Sequence, residues 1–164
     1  MPTSVYNDAM LEDLLLIELQ GMINEVAEQM LEKLRELIQT EVYDDFPSMY
    51  QRQGMNGGLL GSFEKSDANI IGREIESLID QNTIDMTLEP ENYIHGSYEW
   101  HTDDIRDLLT EIVVEGKSGD RFGGGFWRRP RDFWKPFIEL LENGTCDILL
   151  MKAAKKRGIV LQRV

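Results

Sequence analysis

Apolar residues recur at spacings of three to five from Leu11 to Val42, through Leu15, Leu19, Met22, Val26, Met30, Leu34 and Leu37. Glu12, Glu18, Glu25, Glu28, Glu32, Glu36 and Glu41 fall mostly between them. One apolar stripe with carboxylates over the remaining surface is the pattern of an amphipathic helix. Asp8 or Asn7 can cap its start, because a short side-chain oxygen accepts the orphan amide protons of a first turn. A helix over 11–42 would be about 48 Å long at ~1.5 Å per residue, more than one small core covers along its whole length. Either it breaks near Gly21 or Thr40, or one end projects onto a neighbour. A lone glycine costs only about 1 kcal/mol in a helix and does not enforce the break. The stripe is not strictly heptad, which argues against a free coiled coil.

Pro47 closes this helical region, and Gly54, Asn56, Gly57 and Gly58 make the stretch from Gln51 to Gly61 turn-prone. Leu59, Leu60 and Phe63 read as the edge of a core strand. Ile70, Ile71, Ile75, Leu78 and Ile79 fit either a second strand or a short helix, since their spacing matches neither period cleanly. Ile84, Met86 and Leu88 alternate with Asp85 and Thr87, a strand that Pro90 ends. From Glu89 to His101 the expectation is a long loop whose Tyr93, Tyr98 and Trp100 pack onto the domain or a partner.

Ile105, Leu108, Leu109, Ile112 and Val113 then predict a short helix, capped by Asp103 or Asp104 and ended by Gly116. Residues 116–128 form a glycine-rich, flexible loop. The C-terminal helices occupy 131–158. Phe133, Trp134, Phe137, Ile138 and Leu141 give an apolar face to the first, which Pro130 or Asp132 starts and Asn143-Gly144 stops. Thr145 or Asp147 begins the second, and Gly158 is its expected left-handed cap. Ile159-Val160-Leu161 can add an edge strand. No internal repeat is visible, and 164 residues with 41% hydrophobic content are enough for one core and one domain, 1–164.

Charge is divided along the chain. Up to residue 120 there are 26 acidic against 7 basic residues, and beyond it 4 against 10, within a net charge of −13. An acidic body opposes landing on a phosphate backbone, whereas an acidic face and a basic tail on one small protein favour ordered contact between copies. Acidity for solubility alone is the plainer alternative. Cys146 is the single cysteine, so no disulfide forms within one copy, and a reducing compartment is expected. No apolar run approaches the ~18 residues of a membrane span, and the first ten residues lack the segments of a secretory signal. The expectation is a soluble protein, intracellular when made, with no membrane partner.

Few residues invite catalysis. His95, Glu99, His101, Asp103 and Asp104 put both histidines among three carboxylates, but their spacing matches no zinc signature, and loop residues and helix caps are the expected account. Cys146 sits at a helix start, where the dipole favours a thiolate, although a small half-buried residue is the simpler reading. Gly123-Gly124-Gly125 lacks the Lys-Ser or Lys-Thr of a phosphate loop. No enzyme, metal or cofactor is expected. Arg121, Arg128, Arg129, Arg131 and Lys135 are interleaved with Phe126, Trp127, Phe133 and Trp134, and Lys152, Lys155, Lys156 and Arg157 follow. Such a segment can stack on single-stranded nucleic acid, but arginine and tryptophan are also the residues enriched in protein interfaces, which the acidic remainder favours.

Two stretches carry a resemblance. Tyr50-Gln51-Arg52 followed by Gly57-Gly58-Leu59-Leu60-Gly61-Ser62-Phe63 is similar to a Tyr-x-Arg-Thr-Gly-x-Leu-x-x-Ser element, with Gln53 where that pattern has Thr. Arg129-Pro130-Arg131-Asp132-Phe133-Trp134-Lys135-Pro136 and Ala153-Ala154-Lys155-Lys156-Arg157-Gly158-Ile159 resemble the C-terminal region of the same group. That group is the head–tail joining and tail-completion proteins of tailed bacteriophages, the tail-component family of lambda-like siphophages. The likeness runs in order over residues 11–159.

The resemblance implies an α+β chain, with a small mixed or antiparallel sheet packed against the long N-terminal helix, C-terminal helices and long loops. It implies a structural virion protein made in the host bacterial cytoplasm and placed in the neck. There it would form a homo-oligomeric ring of six copies between a head connector or stopper protein and a tail tube or terminator protein, with DNA passing through the lumen. Arg129, Arg131, Phe133, Trp134 and Phe137 are the expected subunit contacts, with core filling as the alternative for the three aromatics. Asp103, Asp104 and Asp107, or Glu74, Glu76 and Asp80, are the expected channel lining, since a basic wall would grip the passing DNA. A nucleic-acid-binding or packaging accessory using the basic segment is the second reading.

Overall fold

The computed structural model describes residues 8–44, 59–72, 74–81, 113–115 and 130–161. It is an α+β fold built on one long helix, α1, from Asp8 to Ile38. This helix runs unbroken through Gly21, about 46 Å at ~1.5 Å per residue. Of the two expected break points only Thr40 marks a change. Residues Gln39–Asp44 widen into a π-helical turn in which Gln39 Nε2 donates to Asp44 Oδ1 at 2.6 Å. The wider turn keeps Val42 buried on the same seam as Leu34 and Ile38.

A 3-10 turn, Leu59–Gly61, follows where a strand edge was expected, and Tyr43 Oη accepts the Leu60 amide proton at 3.1 Å. Then come four three-residue strands: β1 Phe63–Lys65, β2 Asn69–Ile71, β3 Glu74–Glu76 and β4 Ile79–Gln81. The ambiguous isoleucines therefore lie in strands. β2 and β3 pair antiparallel with Ile70 opposite Ile75, and β1 and β4 pair antiparallel with Glu64 opposite Asp80.

The two ladders are successive parts of one ribbon that doubles back at Gly72. Between them Ser66, Asp67 and Ala68 oppose only Ser77 and Leu78, a bulge of the kind that bends a strand pair. Ser66 holds it: its amide donates to the Leu78 carbonyl at 2.7 Å and its hydroxyl accepts from the Leu78 amide at 2.9 Å. Ala68 is buried at the bend and is pinned to α1, donating to Asn24 Oδ1 at 2.7 Å and accepting from Gln20 Nε2 at 2.6 Å.

The C-terminal helices are α2, Trp134–Glu142, and α3, Thr145–Lys156. Asp132 starts α2, its Oδ1 accepting the amide protons of Trp134 at 3.1 Å and Lys135 at 3.0 Å. Gly144, at φ 84, makes the left-handed turn between the helices, and Asn143 Oδ1 accepts the Thr145 amide at 3.1 Å. Gly158, at φ 72, caps α3, and its amide donates to the Lys155 carbonyl at 3.1 Å. The segment after it is not a strand. Ile159 and Leu161 instead pack on Met22, Ala153 and Ala154, which anchors the tail to α1 by side chains.

The main core gathers Val26, Met30, Leu31, Leu34, Ile38 and Val42 of the N-terminal helical region with Leu59, Phe63, Val113, Phe133, Phe137 and Leu149. Arg35 crosses its edge, donating from Nη2 to the Phe63 carbonyl at 3.0 Å. The expected strand at 84–88, the loop 89–101, nearly all of the helix at 105–113 and the loop 116–128 lie outside the described residues. Among the described residues no helix is long and apolar enough to cross a membrane.

Candidate subunit interface

The aromatic face of α2 closes the core. Phe133 and Phe137 are buried, and the Phe63 ring meets Phe133 edge-on at 6.1 Å and Trp134 at 5.4 Å. Trp134 lies against Phe133 at 5.2 Å and edge-on to Phe137 at 6.1 Å, and is itself half-buried. Arg131 is only 6% exposed, and its amide donates to the Val113 carbonyl at 2.8 Å. Of the five residues expected at a subunit contact, Arg131, Phe133 and Phe137 are thus enclosed within their own chain, the alternative weighed for the aromatics. Trp134 keeps a partly open edge, and Arg129 lies outside the described residues.

The division of charge is used within the copy as well. Lys156 Nζ and Arg157 Nη1 both donate to the Glu25 carboxylate, Arg157 at 2.9 Å, while Arg157 Nε stands 3.5 Å from Glu18. Arg157 also donates to the Ala153 carbonyl at 3.1 Å, which fixes its head at the end of α3. The Lys156 hydrogen bond first, and the Arg157 bond second, hold the Glu25 carboxyl below its ordinary value of 4.5. This clasp draws on two of the basic groups that a nucleic-acid surface would need, and burial of Arg131 draws on a third.

Cys146 is half-buried, and burial first, with the Asp147 charge second, pushes its thiol above the ordinary value. Among the described residues no group of three or more His, Cys, Asp or Glu side chains could hold a metal ion. His95, Glu99, His101 and Asp103 lie outside the described residues, as do Asp104 and Asp107. Glu74, Glu76 and Asp80 are exposed on the ribbon, and Asp80 faces Glu64 across it, so its outer surface is acidic.

Two apolar surfaces remain exposed; sequence reasoning allowed for a projecting end of the long helix but did not say which side chains it would bare. The first turns of α1 leave Leu11, Leu14, Leu15 and Ile17 about half exposed, with Ile17 at 59%. On α3, Ile148 and Met151 face outward, Met151 at 56%. The signal was present: the apolar row of α1 begins eleven residues before the first fully buried side chain, Met22.

A family model matches residues 10–157, nearly the whole chain. The chain belongs to the YomN family. No curated protein and no solved structure gives a significant match. The matched region covers α1 apart from its first two residues, the ribbon and both C-terminal helices, so the exposed surfaces just described lie within it.

Proposed function

We propose that this YomN-family chain is a non-catalytic structural protein of a phage particle, a ring-forming subunit of the neck that joins the head connector or stopper to the tail. The phage setting rests on the motif likeness over residues 11–159 to head–tail joining proteins. The observation that carries assembly is the apolar start of α1, where Leu11, Leu14, Leu15 and Ile17 stand in water on a lone copy. Contiguous exposed apolar surface of this kind marks a place of protein contact. Closed cyclic symmetry is the ordinary result when successive copies join head to tail.

In such a ring either the acidic outer surface of the ribbon, Glu74, Glu76 and Asp80, or the group Asp103, Asp104 and Asp107 faces the lumen. Carboxylates there let DNA pass without the counterion exchange that binds it to lysine and arginine. Trp134 and Arg129 supply contacts to neighbouring subunits. Mass spectrometry of purified particles tests the proposal: the chain should be present in a fixed ratio to the connector. A protein absent from finished particles, and monomeric beside its neck partners, would overturn it. A map of the neck with a basic lumen would remove the charge-lining part alone.

A further inference from the structure

The apolar seam of α1 begins well before its first buried side chain. Leu11 and Leu15 extend by steps of four the row that Leu19, Met22 and Val26 carry into the core, yet both are about half exposed. Leu14 and Ile17 form a second row beside them, Glu12 and Asp13 lie between the rows, and Glu18 at the next turn faces Arg157 of its own copy. Residues three and four apart lie together on a helix surface, so these turns are apolar over most of their circumference.

A surface of opposite charge lies elsewhere on the same chain. Ile148, Met151, Lys152 and Lys155 are spaced i, i+3, i+4 and i+7 along α3, and all four are exposed. Leu149, Ala153 and Ala154 form the other side of α3 and are buried, the two alanines against Met22 of α1. The exposed stripe therefore points away from its own α1, and the two surfaces cannot meet within one copy.

We propose that the N-terminal turns of α1 in one copy dock on the outer stripe of α3 in a second copy. Leu11, Leu14, Leu15 and Ile17 then cover Ile148 and Met151, and the exposed Asp13 carboxylate approaches Lys152 and Lys155. Charge complementarity selects this occupant. Two α1 ends laid together would set carboxylates against carboxylates, and two α3 stripes would set lysines against lysines, whereas the crossed pairing joins opposite signs. The contact is heterologous, each copy offering a different patch to the next, so repetition closes a ring or extends a filament. The inference rests on the self-assembly named in the proposed function and supplies its interface.

Two full-length variants test it by sedimentation velocity and native mass spectrometry. One is Leu14→Asp with Ile17→Asp, the other Ile148→Asp with Met151→Asp. All four sites are exposed, so circular dichroism and thermal melting should match the parent. The parent should assemble beyond a dimer, and each variant alone should be monomeric. An equimolar mixture should give a heterodimer and nothing larger, because one intact α1 end and one intact α3 stripe remain. Should either aspartate pair disturb the fold, Asp13→Lys and Lys152→Glu with Lys155→Glu replace them; each alone should be monomeric, and the mixture should assemble beyond a dimer, because the two reversed faces are again opposite in sign. A folded variant that assembles like the parent, a mixture of folded variants that stays monomeric, or a monomeric parent overturns the inference. Presence of the chain in particles is read separately: found there while the variants still assemble, it leaves the neck reading standing without this interface. Absence from particles with the heterodimer formed removes the neck reading and keeps the contact.

Discussion

The two ends of α1 have nearly the same composition and opposite fates. From Met22 to Ile38 its leucines, methionines and valine enter the core, with Met22, Leu34 and Ile38 wholly enclosed. From Leu11 to Ile17 residues of the same kind, again set among carboxylates, stand half in water. Periodicity reports which face of a helix is apolar; it does not report where along the helix a partner waits. The ribbon at Ala68, the aromatic face of α2 and the inner side of α3 all reach α1 at or beyond Leu19.

The largest expected effects sharpen that contrast. Phe133→Ala should destabilise the chain by about 3–5 kcal/mol and Leu34→Ala by about 2–5, since each leaves a cavity among close-packed side chains. Leu14→Ala and Ile17→Ala should change monomer stability by no more than about 0.5 kcal/mol, as surface substitutions do. Urea unfolding under dilute conditions measures all four. A loss at Ile17 comparable to that at Leu34 would mean that the α1 end is packed within the monomer, and the contrast would fail.

Helix starts come next in size. Asp132 accepts two amide protons at the first turn of α2, so Asp132→Ala should cost about 1 kcal/mol, while Asp132→Asn or Asp132→Ser retains most of the stability. Gly21 gives a smaller change of opposite sign. It lies inside a continuous helix, and a Cβ there would sit 3.7 Å from Arg157 Nη2, an ordinary contact. Gly21→Ala should therefore stabilise by up to about 1 kcal/mol in thermal melts. A loss instead would show that the Arg157 head needs the open space beside Gly21.

The sequence was legible where local chemistry decides the outcome. The α1 periodicity, the Asp132 cap and the left-handed Gly158 each depend on residues close in the chain, and the structure has all three. The ribbon was harder, because strands of three residues are too short to establish a two-residue period, and its bend is set by Gln20 and Asn24, more than forty residues away. The aromatic segment left core and interface both open for a different reason. Arginine beside phenylalanine and tryptophan is the composition of an interface and of a core edge alike, and only the arrival of Phe63 and Val113 places Phe133 inside. The same holds for charge: opposite signs at the two ends of a chain say that they attract, and here Glu25 meets Lys156 and Arg157 in the same copy.

That clasp stands at the boundary between the buried and exposed parts of α1, and it carries the smallest effect. Its ion pairs are solvent-accessible, so their contribution is modest and falls with added salt. The Glu25 carboxyl titrates below its ordinary value of 4.5 in the fold, because Lys156, then Arg157, donates to its charged form. In the unfolded chain those partners are gone and the ordinary value returns. A carboxyl lowered by folding contributes its full share of stability above the unfolded value, and loses it as pH falls through the folded one. Glu25→Gln should thus lower Tm slightly at neutral pH and low salt. The parent and variant curves should converge as pH falls below 4.5, and raised salt should narrow the gap at neutral pH. A gap that persisted unchanged under acid would assign the effect to packing rather than charge. The boundary on α1 would then be set by the Met22, Ala153 and Ala154 contacts alone.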